Sequence, residues 1–247
     1  MSEQPLKLVQ FPTTEDTPNY SPFCVKAEVL LKMSGLAYEI EWLDDPRKTP
    51  NGKLPMLRDG DKLIADSECI KHYLIEEKGV HFDDLLSAKE QAQAHAFATM
   101  IEERTYWALV YDRWIVEENW PVTSNHWFGK MPFPLRVIIP KVARKGVRAN
   151  LTGHGIGRHG TEHIFKVAKM DLDAIAVQLG DQKFLFGDEP SSVDASSFGF
   201  LVNLTNGQMT ARLMKTIRSY PTLVAYTERG MKRWFPEMPV SAAIAAQ

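Results

Sequence analysis

Gly52-Lys53-Leu54-Pro55-Met56-Leu57-Arg58-Asp59-Gly60-Asp61-Lys62-Leu63-Ile64-Ala65-Asp66-Ser67 is the stretch that decides the fold. Two short apolar runs, Leu54 to Leu57 and Leu63 to Ala65, flank Asp59-Gly60 and read as a β-hairpin with a tight Asp-Gly turn. Pro55 opens the first strand. A proline has no N–H to give to a ladder, so it belongs at a strand start or an edge. A cis peptide before it would turn the Leu54 N–H and C=O outward, ready to pair with an extended ligand as an added strand does. The alternative is an ordinary trans proline heading an edge strand. Asp66-Ser67 then caps a helix with Ile70, Tyr73 and Leu74 inward, closed by Gly79. Simple capping accounts for that pair. The same free N–H groups also suit a carboxylate, while the aspartate suits an ammonium, so an amino acid head group matches both charges.

Upstream, Leu6 to Phe11 is a buried strand, followed by a long polar loop, Pro12 to Tyr20. Ser21-Pro22 starts a helix, because serine suits the N-cap and proline the first helical position. Cys24, Ala27, Leu30 and Leu31 share one face, and Gly35 is a left-handed cap. A Ser21 hydroxyl at that helix start is also placed to donate to a bound thiol, which favours the thiolate together with the helix dipole. Cys24 faces into the helix and reads as a small buried apolar residue rather than a nucleophile. Tyr38, Ile40 and Trp42 alternate with Glu39 and Glu41 in a half-exposed strand, and Asp44 to Lys53 is irregular. The first two strands should be parallel and the last two antiparallel.

Downstream of Gly79 the strand signals stop. Ser87-Ala88-Lys89-Glu90 is a capping box opening a helical stretch to about Asn119. Thr161 to Leu179 is helical, Ser191-Ser192-Val193-Asp194 starts another helix, and a last one lies near Thr222 to Trp234. Between Asn119 and Thr161 there is no acidic residue, while Lys130, Arg136, Lys141, Arg144, Lys145, Arg148 and Arg158 are basic. Leu135, Ile138, Ile139 and Val142 interleave with some of them. That segment could meet an anionic ligand or a membrane surface. Pro140, however, is expected to interrupt any long amphipathic helix, which favours a solvated basic face. His159 and His163 are four apart, but Gly160-Thr161 puts a helix start between them, so no metal site is expected there. Trp107, Tyr111 and Trp114 fall at helical spacing and read as core packing.

The 247 residues include 44% apolar and 24% charged side chains, enough for one large domain or two modest ones with a real core. A net charge of −2 points to no nucleic acid partner. No apolar run reaches the ~18–20 residues of a membrane span, and the tail Val240 to Gln247 is too short for one. The N-terminus carries no signal-peptide pattern. Two cysteines, Cys24 and Cys69, make neither a disulfide framework nor a zinc site and suit a reducing, cytoplasmic setting.

Each signal is modest alone, but their order is specific: a helix-starting serine after the first strand, Lys53-Leu54-Pro55 at the third, Asp66-Ser67 after the fourth. In this the chain resembles the glutathione transferase superfamily. Phe186 to Asp194 resembles the capping-box segment of the transferase helical domain, and Ser21-Pro22-Phe23-Cys24-Val25-Lys26, Gly52-Lys53-Leu54-Pro55, Ile64-Ala65-Asp66-Ser67, Gly157-Arg158-His159 and Arg233-Trp234-Phe235-Pro236-Glu237 resemble, more narrowly, the failed-axon-connections and metaxin branch. The resemblance implies an α/β thioredoxin-like N-terminal domain over residues 1–80 and an all-α C-terminal domain over 87–247. It implies a cis Pro55, glutathione as co-substrate held by Lys53, Leu54, Pro55, Asp66 and Ser67, and a thiol facing Ser21, with Tyr20 as the other candidate. Position 21 is not cysteine, so a Cys-x-x-Cys couple is absent and disulfide reduction is not implied. Arg104 and Tyr106 lie off the Trp107 face and are the candidates for a second, apolar electrophile between the domains. A homodimer is the family expectation. Metaxin-like relatives also imply a rival, a non-catalytic adaptor, and a glutathione sensor without turnover is a third reading.

Overall fold

The computed structural model describes residues 5–15, 17–205 and 212–238; the Val240–Gln247 tail lies outside them. Four strands form one sheet in the order β2-β1-β3-β4: β1 Leu6–Gln10, β2 Tyr38–Trp42, β3 Met56–Asp59 and β4 Lys62–Ala65. β1 and β2 run parallel with Leu8 opposite Ile40, and β3 is antiparallel to both β1 and β4. The parallel pair requires a crossover, which α1 (Pro22–Ser34) supplies. Its ends follow from its sequence: Ser21 caps it in an extended conformation, Pro22 follows, and Gly35 closes it at φ 69. The β3–β4 register pairs Asp59 with Lys62, so the turn residues are Gly60 and Asp61, one place later than the Asp-Gly reading. Gly60 supplies the positive φ, 56°, that a two-residue loop needs. After β4, α2 (Ser67–Glu76) packs beside α1.

The rest is helical. Ser87 and Glu90 complete the expected capping box at α3, Ala88–Met100. The predicted long helix is not uniform: one π turn, Ile101–Thr105, separates α3 from α4, Tyr106–Trp114. Then come α5 (Trp120–Phe128), α6 (Leu135–His154), α7 (Thr161–Leu179), α8 (Ser192–Thr205), α9 (Arg212–Arg218) and α10 (Pro221–Trp234). The expectation that Pro140 would interrupt a long helix is corrected here, because α6 runs unbroken through it. Proline removes one hydrogen bond, to the Arg136 carbonyl, near the helix start. Tertiary contacts outweigh that loss: Pro140 and Leu151 are buried on one face, and Arg144 donates to the carbonyls of Trp114 and Ile115.

Every residue of α8 is buried, so it forms the centre of the helical part, with α1, α3, α9 and α10 around it. One apolar core runs from Leu8, Leu30 and Leu57 through Phe198 and Leu201 to Trp234. A second, smaller cluster, Val9, Cys24, Leu54 and Met56, sits where α1, β1 and β3 meet.

Candidate active site

The smaller cluster places the first group of residues. Cys24 is fully buried against Leu54 and Met56, which sets the start of α1 beside the loop entering β3. The Cys24 N–H donates to Ser21 Oγ at 3.4 Å, a long bond, and Ser21 itself is half-buried. Burial pushes the Cys24 thiol up to about 12, against the opposing pull of Ser21. A thiol held protonated in this way is no nucleophile.

The Leu54-Pro55 peptide is cis. Among the described residues the Leu54 N–H and C=O have no hydrogen-bond partner, whereas Pro55 O accepts from the Asp66 N–H at 3.3 Å. That bond joins the entry of β3 to the start of α2. Asp66 adopts φ 87, the one non-glycine positive φ among the described residues. For a residue with a Cβ this is strained backbone, which persists where surroundings over-determine it and gathers at ligand sites. Its Oδ1 accepts from the Glu68 N–H at 2.8 Å, so part of the carboxylate caps α2. Ser67 is 2% exposed, and its hydroxyl has no hydrogen bond among the described residues. Lys53 is exposed, and its backbone N–H and C=O are both tied to Thr49 Oγ1. Ser21, Leu54, Pro55, Asp66 and Ser67 thus lie along one run of contacts, from α1 through Cys24 to β3 and α2.

Behind that run lies a charge network that the sequence did not disclose. Lys26, 1% exposed, reaches Glu68 at 2.8 Å and Glu102 at 2.7 Å, and Ser196 Oγ donates to Glu102 at 2.6 Å. Burial favours the neutral amine, but the two carboxylates outweigh it and hold the Lys26 pKa above its ordinary value. Burial likewise opposes ionisation of Glu68, yet Lys26 and Lys71 bring it down to about 2. α1, the first turn of α2, the π turn and α8 are therefore fixed to one another around a single ammonium. The only signal was a lysine between Val25 and Ala27 on a helix otherwise read as apolar.

Tyr20 is 5% exposed, with its ring stacked on His126 at 3.7 Å between centroids. Arg113, buried in α4, donates to the Tyr20 carbonyl at 2.6 Å and to Asn203 Oδ1 at 2.7 Å. Its neighbour Asp112 is pushed up to about 7 by burial, against weaker opposing bonds and the Arg113 charge. Tyr106 packs edge-on against Phe23, at 4.9 Å, and Phe200, so it does stand where α1 meets the helical part. Arg104 turns elsewhere: its guanidinium clasps the fully buried Asp171 of α7, which also accepts from Thr105 Oγ1 at 2.8 Å. Trp107, Tyr111 and Trp114 are partly buried and pack against the core as their spacing implied, and Trp107 also stacks on His154.

The rings of His159 and His163 stack at 4.3 Å although α7 begins between them, contrary to the expectation that the helix start would part them. Among the described residues no group of three or more His, Cys, Asp or Glu side chains is placed to hold a metal, and no helix is long and apolar enough to cross a membrane.

The sequence profile of the glutathione S-transferase N-terminal domain matches residues 22–119, and that of the glutathione S-transferase C-terminal domain matches residues 168–230. The chain is similar to the isoprene-epoxide–glutathione S-transferase of Rhodococcus sp. (strain AD45), 30% identical over 230 residues, covering 88% of this chain and 94% of that protein. It is similar to metaxin-1 of Mus musculus, 29% identical over 83% of this chain and 67% of that one. It is also similar to Failed axon connections of Drosophila melanogaster, 29% identical over 93% of this chain, though it spans only 58% of the fly protein. Among solved structures, apo glutathione S-transferase III aligns with a TM-score of 0.60 at 21% identity, over 98% and 97% of the two chains. A glutathione-bound transferase from Methylobacillus flagellatus aligns at 0.60 and 16% identity, over 95% and 100%. At these identities the structural likeness speaks for the fold alone.

Proposed function

Because this chain belongs to the glutathione S-transferase superfamily, in its metaxin-like branch, we propose that it binds glutathione and joins the thiol to a small apolar electrophile. The observation that carries this reading is the contact run from Ser21 to Ser67, which ends in the unpaired backbone of Leu54 and the strained cap at Asp66. Leu54 would pair with the tripeptide backbone. The Asp66 carboxylate would take the ammonium of the γ-glutamyl end, and Ser67 its carboxylate. Ser21 at the α1 N-terminus would donate to sulfur and lower its pKa, a modest effect reinforced by the helix dipole. The thiolate then attacks carbon, forming a C–S bond as the leaving group departs or an epoxide opens and takes up a proton. The protein adds proximity to a chemistry that belongs to the thiolate. The epoxide named for the Rhodococcus relative supports an electrophile of that kind, and Tyr106 beside Phe23 is the residue we place nearest to it. A homodimer in the cytoplasm belongs to the same proposal.

The adaptor reading draws on the similarity to metaxin-1 and Failed axon connections. Calorimetric titration separates the two. Wild type should bind glutathione in the millimolar range or tighter, and Asp66→Ala and Ser67→Ala should each weaken binding about tenfold, the worth of a lost bond to a charged group. No heat with millimolar glutathione would sink the transferase reading and leave the adaptor. Equal binding by the variants would displace the site. Ser21→Ala should raise the pKa of the bound thiol, read by thiolate absorbance against pH; an unchanged value moves the role away from Ser21.

A further inference from the structure

α6 presents a second surface, independent of the glutathione reading. Leu135, Ile138 and Val142 recur at helical spacing on the side opposite buried Pro140 and Leu151, and are 46%, 51% and 63% exposed. Phe133, just before the helix, is 77% exposed. Isolated exposed apolar residues are ordinary, but four together along about two turns of one helix face and its entry are not. Beside this stripe, Lys141, Lys145 and Arg148 form a parallel exposed row with no ion pair among the described residues. No acidic residue occurs from Asn119 to Thr161, and Glu117 beyond that stretch is already engaged by Arg144.

We propose that this face of α6 docks on an anionic lipid surface, the aliphatic stripe entering the headgroup boundary and the cations meeting lipid phosphates. An apolar stripe edged by lysine and arginine on a helix lying flat against the molecule is the pattern of interfacial attachment. Two alternatives fit less well. A second copy placed on the same face by two-fold symmetry would set cations against cations. A partner helix would need a groove, and the stripe is the convex outer side of a single helix. With a net charge of −2 for the whole chain, the attraction is local to this face and orients the molecule.

The test is flotation of the full-length protein with phosphatidylcholine vesicles, with and without phosphatidylglycerol. Binding is expected only with phosphatidylglycerol and should weaken steeply as salt rises. Lys141→Gln/Lys145→Gln should lower partitioning about twenty-five-fold, at roughly one factor of five per cation. Ile138→Ser/Val142→Ser should lower it about tenfold or more. Both pairs lie on the surface, and circular dichroism checks that they fold. Absence of binding, equal binding to both vesicle types, or unaltered binding by both double variants overturns the proposal. So does a change from dimer to monomer in Ile138→Ser/Val142→Ser by light scattering, which would assign the face to a copy of the chain.

Discussion

Cys24 and Cys69 carry the same functional group into opposite surroundings. Cys24 is fully buried behind Ser21, and burial pushes its thiol up to about 12; Cys69 is exposed on α2. Proximity to the candidate thiol-binding serine therefore does not make Cys24 a participant, because a buried neutral sulfur has neither charge nor access. Ellman's reagent should titrate one thiol in the native protein and two in denaturant, with Cys69→Ser reducing the native count to zero. Two fast thiols in the folded protein would mean that the small cluster around Leu54 is open. The residue scale also explains what could be read ahead of the structure. Ser21-Pro22, Asp66-Ser67 and Ser87 with Glu90 are settled by chemistry within one helical turn, so they were legible. Asp66 at φ 87 was not, since nothing local requires it; its N–H partner, the Pro55 carbonyl, lies eleven residues back.

At the scale of elements, α1, α2 and the π turn meet on Lys26. Its carboxylate partners are 42 and 76 residues away, so no window of sequence holds them together. The same reason hid α5, α6 and α9. In α6 the local propensity is also broken, by Pro140, Gly146 and Gly153, and contacts such as Arg144 with Trp114 and Ile115 hold it as a helix. The Lys26 network also predicts a pH dependence. Glu68 has a folded pKa of about 2, below its ordinary value of 4.5. A carboxyl depressed on folding contributes stability that is present above its unfolded pKa and is lost as pH falls through the folded one. The window is thus between 4.5 and about 2. Urea midpoints for wild type should fall on acidification through that range, and Glu68→Gln should flatten this limb while lowering stability at neutral pH. Because Glu68 follows Ser67, Lys26→Met should also weaken glutathione binding without touching any ligand contact. Such a variant with native affinity would limit Lys26 to a structural part.

The whole molecule depends on how closely its two parts approach, and one glycine measures it. A Cβ added at Gly199, in the middle of buried α8, would lie 2.6 Å from the Pro22 carbonyl oxygen and 3.2 Å from the Lys26 nitrogen. Both are backbone atoms of α1, so relief requires moving the helix rather than turning a side chain. Gly199→Ala should therefore destabilise the protein by about 1–3 kcal/mol, the range for overpacking a filled interior. Gly146, on exposed α6 with nothing within 4 Å of an added Cβ, is the control. There alanine should stabilise by up to about 1 kcal/mol through helix propensity alone. The two substitutions add the same methyl group, so their difference isolates the approach of α1 to α8. Pro22 directly follows Ser21, and Lys26 holds the first turn of α2. A shift of α1 should thus raise the pKa of the bound thiol and weaken glutathione binding in Gly199→Ala but not in Gly146→Ala, by the same absorbance and calorimetric readings. If Gly199→Ala loses stability while thiol pKa and affinity stay native, the site is carried by the sheet and α2 alone, and the helical part supports it only by burying α1.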